Sequence, residues 1–109
     1  MNIRLYVAQR LTAALMVPLV AVHVALIIYA SRHGLTAADV LARTRGSIGW
    51  ALFYGTFVVA AAIHAPIGIR AILREWSPLP YRSIDAIAIG LGLLLALFGL
   101  RAVAAVFLP

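Results

Sequence analysis

Three long apolar runs, separated by polar turns that carry arginines, set the pattern of this chain. The first spans Leu11 to Ala30, with His23 as its single ionisable side chain. The second, Ile48 to Ile69, again holds one ionisable group, His64. The third opens near Ser83 and extends to about Leu108, with Arg101 near its far end. A hydrocarbon core about 30 Å thick is crossed by about 20 helical residues, so each run is long enough to span it. The pattern predicts an all-α membrane protein. It is a single domain over residues 1–109 with three transmembrane helices, near 8–31, 47–75 and 83–108, in an up-down-up bundle.

The turns refine this picture. Met1 to Gln9 reads as a short amphipathic lead into the first span. Pro18 lies inside that span, where it removes one backbone bond and bends the helix. Thr36-Ala37-Ala38-Asp39 has the spacing of a capping box, predicting a short surface helix to about Arg43. His33 reads as a solvated loop residue. Trp50 and Tyr54 mark one membrane interface of the second span, and Arg70 and Arg74 the other. That helix continues to Glu75 or Trp76, where Ser77-Pro78-Leu79-Pro80 stops it. Ser83 is the expected N-cap of the third helix, with Asp85 in its first turn. Ala86, Gly90, Gly92 and Gly99 offer positions for close helix packing.

Composition sharpens the class. Of 109 residues 65% are hydrophobic, and all nine basic residues are arginines against three acids, a net charge of +6. A soluble domain of this size has no interior large enough for so much apolar surface. The charge suits anionic headgroups or an acidic partner, not nucleic acid. The first apolar run is too long for a secretory signal, so no cleaved leader is expected. No cysteine is present, which excludes disulfides, iron–sulfur ligation and covalent haem attachment by this chain. Five arginines, Arg4, Arg10, Arg70, Arg74 and Arg82, fall on the N-terminal side. Arg32, Arg43 and Arg45, with Arg101 near that face, fall on the other. The bias predicts a cytoplasmic N-terminus in a cell's inner membrane.

The chemistry rests on the two intramembrane histidines. An ionisable group at membrane depth is costly, and a haem iron is one reason to keep it, because imidazole suits iron. Gly68, four residues after His64, shares its helix face and would let a flat macrocycle approach the backbone. The plainer alternative is a histidine hydrogen-bonded to a neighbouring helix. His23 lies about 20 Å along its helix from Arg10, whereas His64 lies about 9–15 Å from the arginines at the same membrane face. Their depths differ, so they are not expected to ligate one haem together. Each would pair with a ligand from another chain, or His23 would simply bond across helices. Arg101 is expected to snorkel to the interface.

The stretch His64-Ala65-Pro66-Ile67-Gly68-Ile69-Arg70-Ala71-Ile72-Leu73-Arg74-Glu75-Trp76 resembles the second-helix signature of the membrane-anchor subunits of succinate dehydrogenase and fumarate reductase. In that family a histidine, a glycine four later and an acidic-aromatic pair recur. Gln9-Arg10-Leu11-Thr12-Ala13 resembles the family's arginine-bearing start of the first helix. The resemblance implies a haem b-binding anchor that passes electrons between an iron–sulfur subunit and quinone, with succinate chemistry on a flavoprotein partner. It implies a second membrane-anchor chain as well. Carried over by position, His64 is the haem axial ligand, and Arg10 a contact of quinone or of a haem propionate. Trp76 and Glu75 fall at a quinone site on the cytoplasmic side, near Arg10 and Arg74. His23 matches the second, distal haem ligand of two-haem members. Trp76 replaces the family's tyrosine, and an indole donates a hydrogen bond but does not ionise as a phenol does.

Three other readings stand beside this one. A b-cytochrome anchor of another membrane oxidoreductase would use the same haem with different soluble partners. A purely structural anchor would bind no haem. A small multidrug-type transporter would need a fourth span and a carboxylate in the first, and the chain offers neither.

Overall fold

The computed structural model describes residues 2–109, and they form four helices with no strand among them. In chain order these are α1 (Ile3–Arg32), α2 (Ala37–Thr44), α3 (Ile48–Trp76) and α4 (Tyr81–Phe107). Helices α1, α3 and α4 are each long and apolar enough to cross a membrane. The protein is an all-α membrane protein with three spans. Helix α3 is the middle element, with α1 packed on one side and α4 on the other, while α2 rests on α4.

The local chemistry explains each boundary. Asn2 starts α1 by accepting the Leu5 N–H on its side-chain oxygen at 2.9 Å. The expected lead is therefore continuous with the first span, which begins at Ile3 where the apolar pattern predicts a start near residue 8. The Thr36–Asp39 capping box forms in full: Thr36 N–H donates to Asp39 Oδ2 at 2.8 Å, and Asp39 N–H donates to Thr36 Oγ1 at 3.2 Å. The bonds from Thr36, the backbone one first, hold the Asp39 carboxyl below its ordinary range. Ser47 caps α3 through the Trp50 N–H. The third span departs from expectation, because α4 begins at Tyr81, behind Pro80, with no side-chain cap. Pro80 itself occupies the N-cap position with an extended backbone, so Ser83 falls inside the first turn, past the place where a cap acts. Asp85 is also not a first-turn dipole partner. It accepts from Arg70 Nε at 2.8 Å and Arg74 Nη2 at 3.4 Å, clamping α4 to α3 at the N-terminal end of the bundle.

The α3–α4 seam is built on small residues. Ile84 and Ala88 of α4 and Ala60 and Ile67 of α3 form the buried apolar core. Pro66 has no N–H to offer the Ala62 carbonyl four residues back. Gly92 approaches that opening: a Cβ added there would lie 3.0 Å from Pro66 Cγ and 3.2 Å from the Ala62 oxygen. At Gly99 an added Cβ would meet Val58 Cγ1 at 2.5 Å. Gly90 has nothing within 4 Å and Ala86 is exposed, so that expected pair faces away from the seam. At the far end the buried Thr44 hydroxyl donates to the Val106 carbonyl at 2.8 Å, and Gly46 N–H donates to the Phe107 carbonyl at 2.9 Å. These bonds satisfy carbonyls that the last turn of α4 leaves open.

Gly99→Leu is therefore expected to split the α3–α4 hairpin. Overpacking a tight contact costs about 1–3 kcal/mol, and lipid offers no hydrophobic drive to restore helix association. A cysteine pair crosslinked across the hairpin reports it, with crosslinking lost in Gly99→Leu and kept in Gly90→Leu. Equal crosslinking in both variants would contradict the seam.

Candidate functional site

Helices α1 and α3 run antiparallel, and three contacts fix their register. Gln9 lies against Gly68, Thr12 against His64, and His23 beside Tyr54 and Phe57. His23 and His64 thus stand at different levels. Eleven residues separate Thr12 from His23, which is about 16 Å along the axis at a rise of about 1.5 Å per residue.

At the first level, His64 Nδ1 lies 3.3 Å from Thr12 Oγ1. The second ring nitrogen, Nε2, has no hydrogen-bond partner among the described residues. His64 also lines an open concavity of about 430 Å³ whose other walls are Ala13, Met16, Val17, Val20 and Ala21 of α1. These α1 positions recur at three- and four-residue spacing and so share one face. Arg10, three residues before Ala13 and seven before Val17, continues the same face toward the membrane surface. It is exposed, and its guanidinium lies 5.9 Å from the Tyr6 ring centroid.

Gly68 plays a different part from the one expected. What approaches it is the Gln9 side chain, whose Nε2 would lie 3.2 Å from an added Cβ. Gln9 Oε1 is buried without a partner among the described residues. Sequence reasoning missed Thr12 and Gln9 as members of this site. The available signal was their i, i+3 spacing, which puts two polar side chains on one face of an apolar helix beside Arg10.

Glu75 and Trp76 end α3 and are both exposed, Trp76 by 83%. Trp76 lies eight residues past Gly68, about 12 Å beyond the level of Gln9 and Arg10. The chain does not by itself bring Arg10 together with Glu75 and Trp76. Arg74 stacks over Tyr81, 4.1 Å from the ring centroid, while sharing Asp85 with Arg70.

At the second level, His23 lines a cavity of about 330 Å³ with Tyr54, Phe57, Val58, Gly99 and Thr44 among its walls. Tyr54 and Phe57 meet the imidazole edge-on, at 6.0 and 5.4 Å between centroids. His23 Nδ1 is buried and has no partner among the described residues. The Tyr54 hydroxyl accepts from Arg43 Nη2 at 3.0 Å, and the Arg43 guanidinium lies 3.9 Å from the Trp50 ring centroid. His33, by contrast, stacks on Tyr29 and bonds the Tyr29 carbonyl at the exposed end of α1.

Compared with known protein families, with curated proteins and with solved structures, the chain matches none. No three His, Asp or Glu side chains gather among the described residues, so a bare metal ion, which draws three or four ligands from protein, has no such set here. A haem asks less of the protein, since the porphyrin supplies its own equatorial nitrogens and only axial positions remain. A histidine with one nitrogen uncommitted, beside an apolar wall that ends in an arginine, fits that demand.

Proposed function

We propose that this chain is the haem b-binding membrane-anchor subunit of a succinate:quinone oxidoreductase, a succinate dehydrogenase or fumarate reductase. In this role it passes electrons between an iron–sulfur subunit and membrane quinone. The observation that carries the reading is His64 at the edge of the α1 wall, held by Thr12 and with Nε2 uncommitted. His64 would hold the iron through Nε2, and Ala13, Val17 and Ala21 would flank the macrocycle. Haem b supplies a reversible one-electron couple when bound. Arg10 stands nearer the level of His64 than that of Trp76, which favours a propionate over a quinone as its contact. An arginine there also stabilises negative charge developing on a nearby quinone.

His23 is the second candidate ligand. Its unpartnered Nδ1 and the cavity beside it support a distal haem. The separation of the two levels along the helix axis suits electron transfer between two centres across the membrane. Glu75 and Trp76, exposed at the end of α3, are the residues offered to partners on the quinone side. The partners are a flavoprotein and an iron–sulfur subunit, where the dicarboxylate chemistry lies, and a second membrane-anchor chain that supplies the opposite axial ligands. The membrane is a cell's inner membrane, with the N-terminus cytoplasmic. One observation favours the neighbouring reading, a b-cytochrome anchor of another oxidoreductase: tryptophan stands where the family has its quinone tyrosine.

Purification of the tagged chain from its native membrane tests the proposal. It should bring down a flavoprotein, an iron–sulfur protein and a second small membrane chain, with the spectrum of a low-spin b haem. Other soluble partners with the same spectrum would select the alternative cytochrome, and a complex without haem would leave a structural anchor. Reporters fused to the two termini should report opposite sides of the membrane.

A further inference from the structure

We infer that Thr12 is a positioning residue that fixes the ring tautomer of His64. The inference rests on the haem reading for its electronic consequence, but not for its structural part. The Thr12 hydroxyl has three neighbours: the Ala8 carbonyl at 2.7 Å, the Gln9 carbonyl at 3.1 Å and His64 Nδ1 at 3.3 Å. A hydroxyl carries one proton, and carbonyl oxygens only accept. If that proton pointed at His64, the close contact with the Ala8 oxygen would set lone pair against lone pair. The proton therefore goes to the Ala8 carbonyl, as threonine in a helix commonly bonds back by one turn.

The Thr12 oxygen then faces His64 with a lone pair, and His64 Nδ1 must be the donor. The neutral imidazole carries its hydrogen on Nδ1, and Nε2 keeps its own lone pair. This is the tautomer that binds iron through Nε2, and the hydrogen bond at the other nitrogen is what orients such a ring. Threonine suits the task better than serine, because its branched Cβ restricts χ1 and the back-bond to Ala8 holds the oxygen in place. Helix α1 thus fixes the state of a ligand carried by α3.

The electronic consequence has a definite sign. Donation from Nδ1 raises the basicity of the ligating nitrogen, which stabilises ferric over ferrous iron and lowers the midpoint potential. Loss of the acceptor should raise it.

The test has two readouts. In the full-length chain in lipid nanodiscs without haem, the ¹⁵N resonances of the His64 ring should show the Nδ1–H tautomer. Thr12→Val, nearly isosteric but without an acceptor, should move His64 to a mixture or to Nε2–H. In the assembled complex, the haem assigned to His64 should titrate at a more positive potential in Thr12→Val, and Thr12→Ser should return it toward the wild-type value. Nε2–H in the wild-type chain would overturn the inference, even if Thr12→Val fails to assemble. An unchanged potential in an assembled Thr12→Val complex would overturn its electronic part. If the haem signal survives His64→Ala at full amplitude, the haem reading fails while the wild-type tautomer still decides the role of Thr12.

Discussion

His64→Ala should strip the assembled complex of the b haem that His64 holds, which is all of the low-spin signal in a one-haem complex and about half of it in a two-haem complex, with the affinity of that site cut by at least about tenfold. Disturbing a partner of a metal ligand typically costs about 10–100-fold in affinity, and removing the ligand itself costs more. Alanine at position 64 leaves the α1 wall of Ala13, Met16, Val17, Val20 and Ala21 intact, so the apolar site persists while its axial nitrogen is gone. The concavity is open along α1, which means that walls alone hold a macrocycle poorly. Succinate oxidation with a soluble dye acceptor should survive, because the proposal assigns that chemistry to partner subunits. A haem spectrum of normal amplitude in His64→Ala would refute the assignment. His23→Ala in the same preparation reads the second level. Loss of half the haem would make His23 the distal ligand, and no change would make it a helix-bonding residue only.

Arg10→Leu should lower quinone reduction by about 10–100-fold while leaving dye-linked succinate oxidation unchanged. A hydrogen bond to a charged group is worth about 1.5–3 kcal/mol, which corresponds to that range. The guanidinium is exposed and its neighbour within the chain is the Tyr6 ring at 5.9 Å, so leucine breaks no buried ion pair. Its effect is then on what lies beside the α1 face. A propionate contact predicts lower haem retention in Arg10→Leu together with slower quinone reduction, whereas a quinone contact predicts full haem with slower reduction. Equal loss of both activities would mean failed assembly, and unchanged quinone kinetics would place the site on the partner chains. Trp76→Ala should act more weakly, since an exposed indole at the end of α3 can wall a pocket only when a partner closes it.

The α1–α3 register explains why Arg10 and Trp76 call for separate experiments. On the sequence both belong to the N-terminal membrane face, and residues on one face are free to converge. The antiparallel register of α1 and α3 instead sets them about 12 Å apart along the helix axis. Gln9 packs on Gly68, so each further residue along α3 carries the chain one helical rise beyond Arg10 before it reaches Trp76.

Hydropathy alone determined that three helices are fit to cross a membrane, because length and apolarity are summed over about 20 residues and survive any detail of packing. The surface helix was equally legible, since its capping box is a local pattern within four residues. So were the two lone histidines, whose place in apolar runs is visible without contacts. What only the tertiary structure decided depends on how the helices are rotated and slid against one another. Apolar runs this uniform have little amphipathic contrast, so nothing in them indicates which face turns inward. The seam therefore took Gly92 and Gly99 but not Gly90, Asp85 met Arg70 and Arg74 across the hairpin, and Gly68 received Gln9. Thr12 is the clearest case. One turn of helix determines where its proton goes, but only the α1–α3 register brings His64 to the oxygen that proton leaves free.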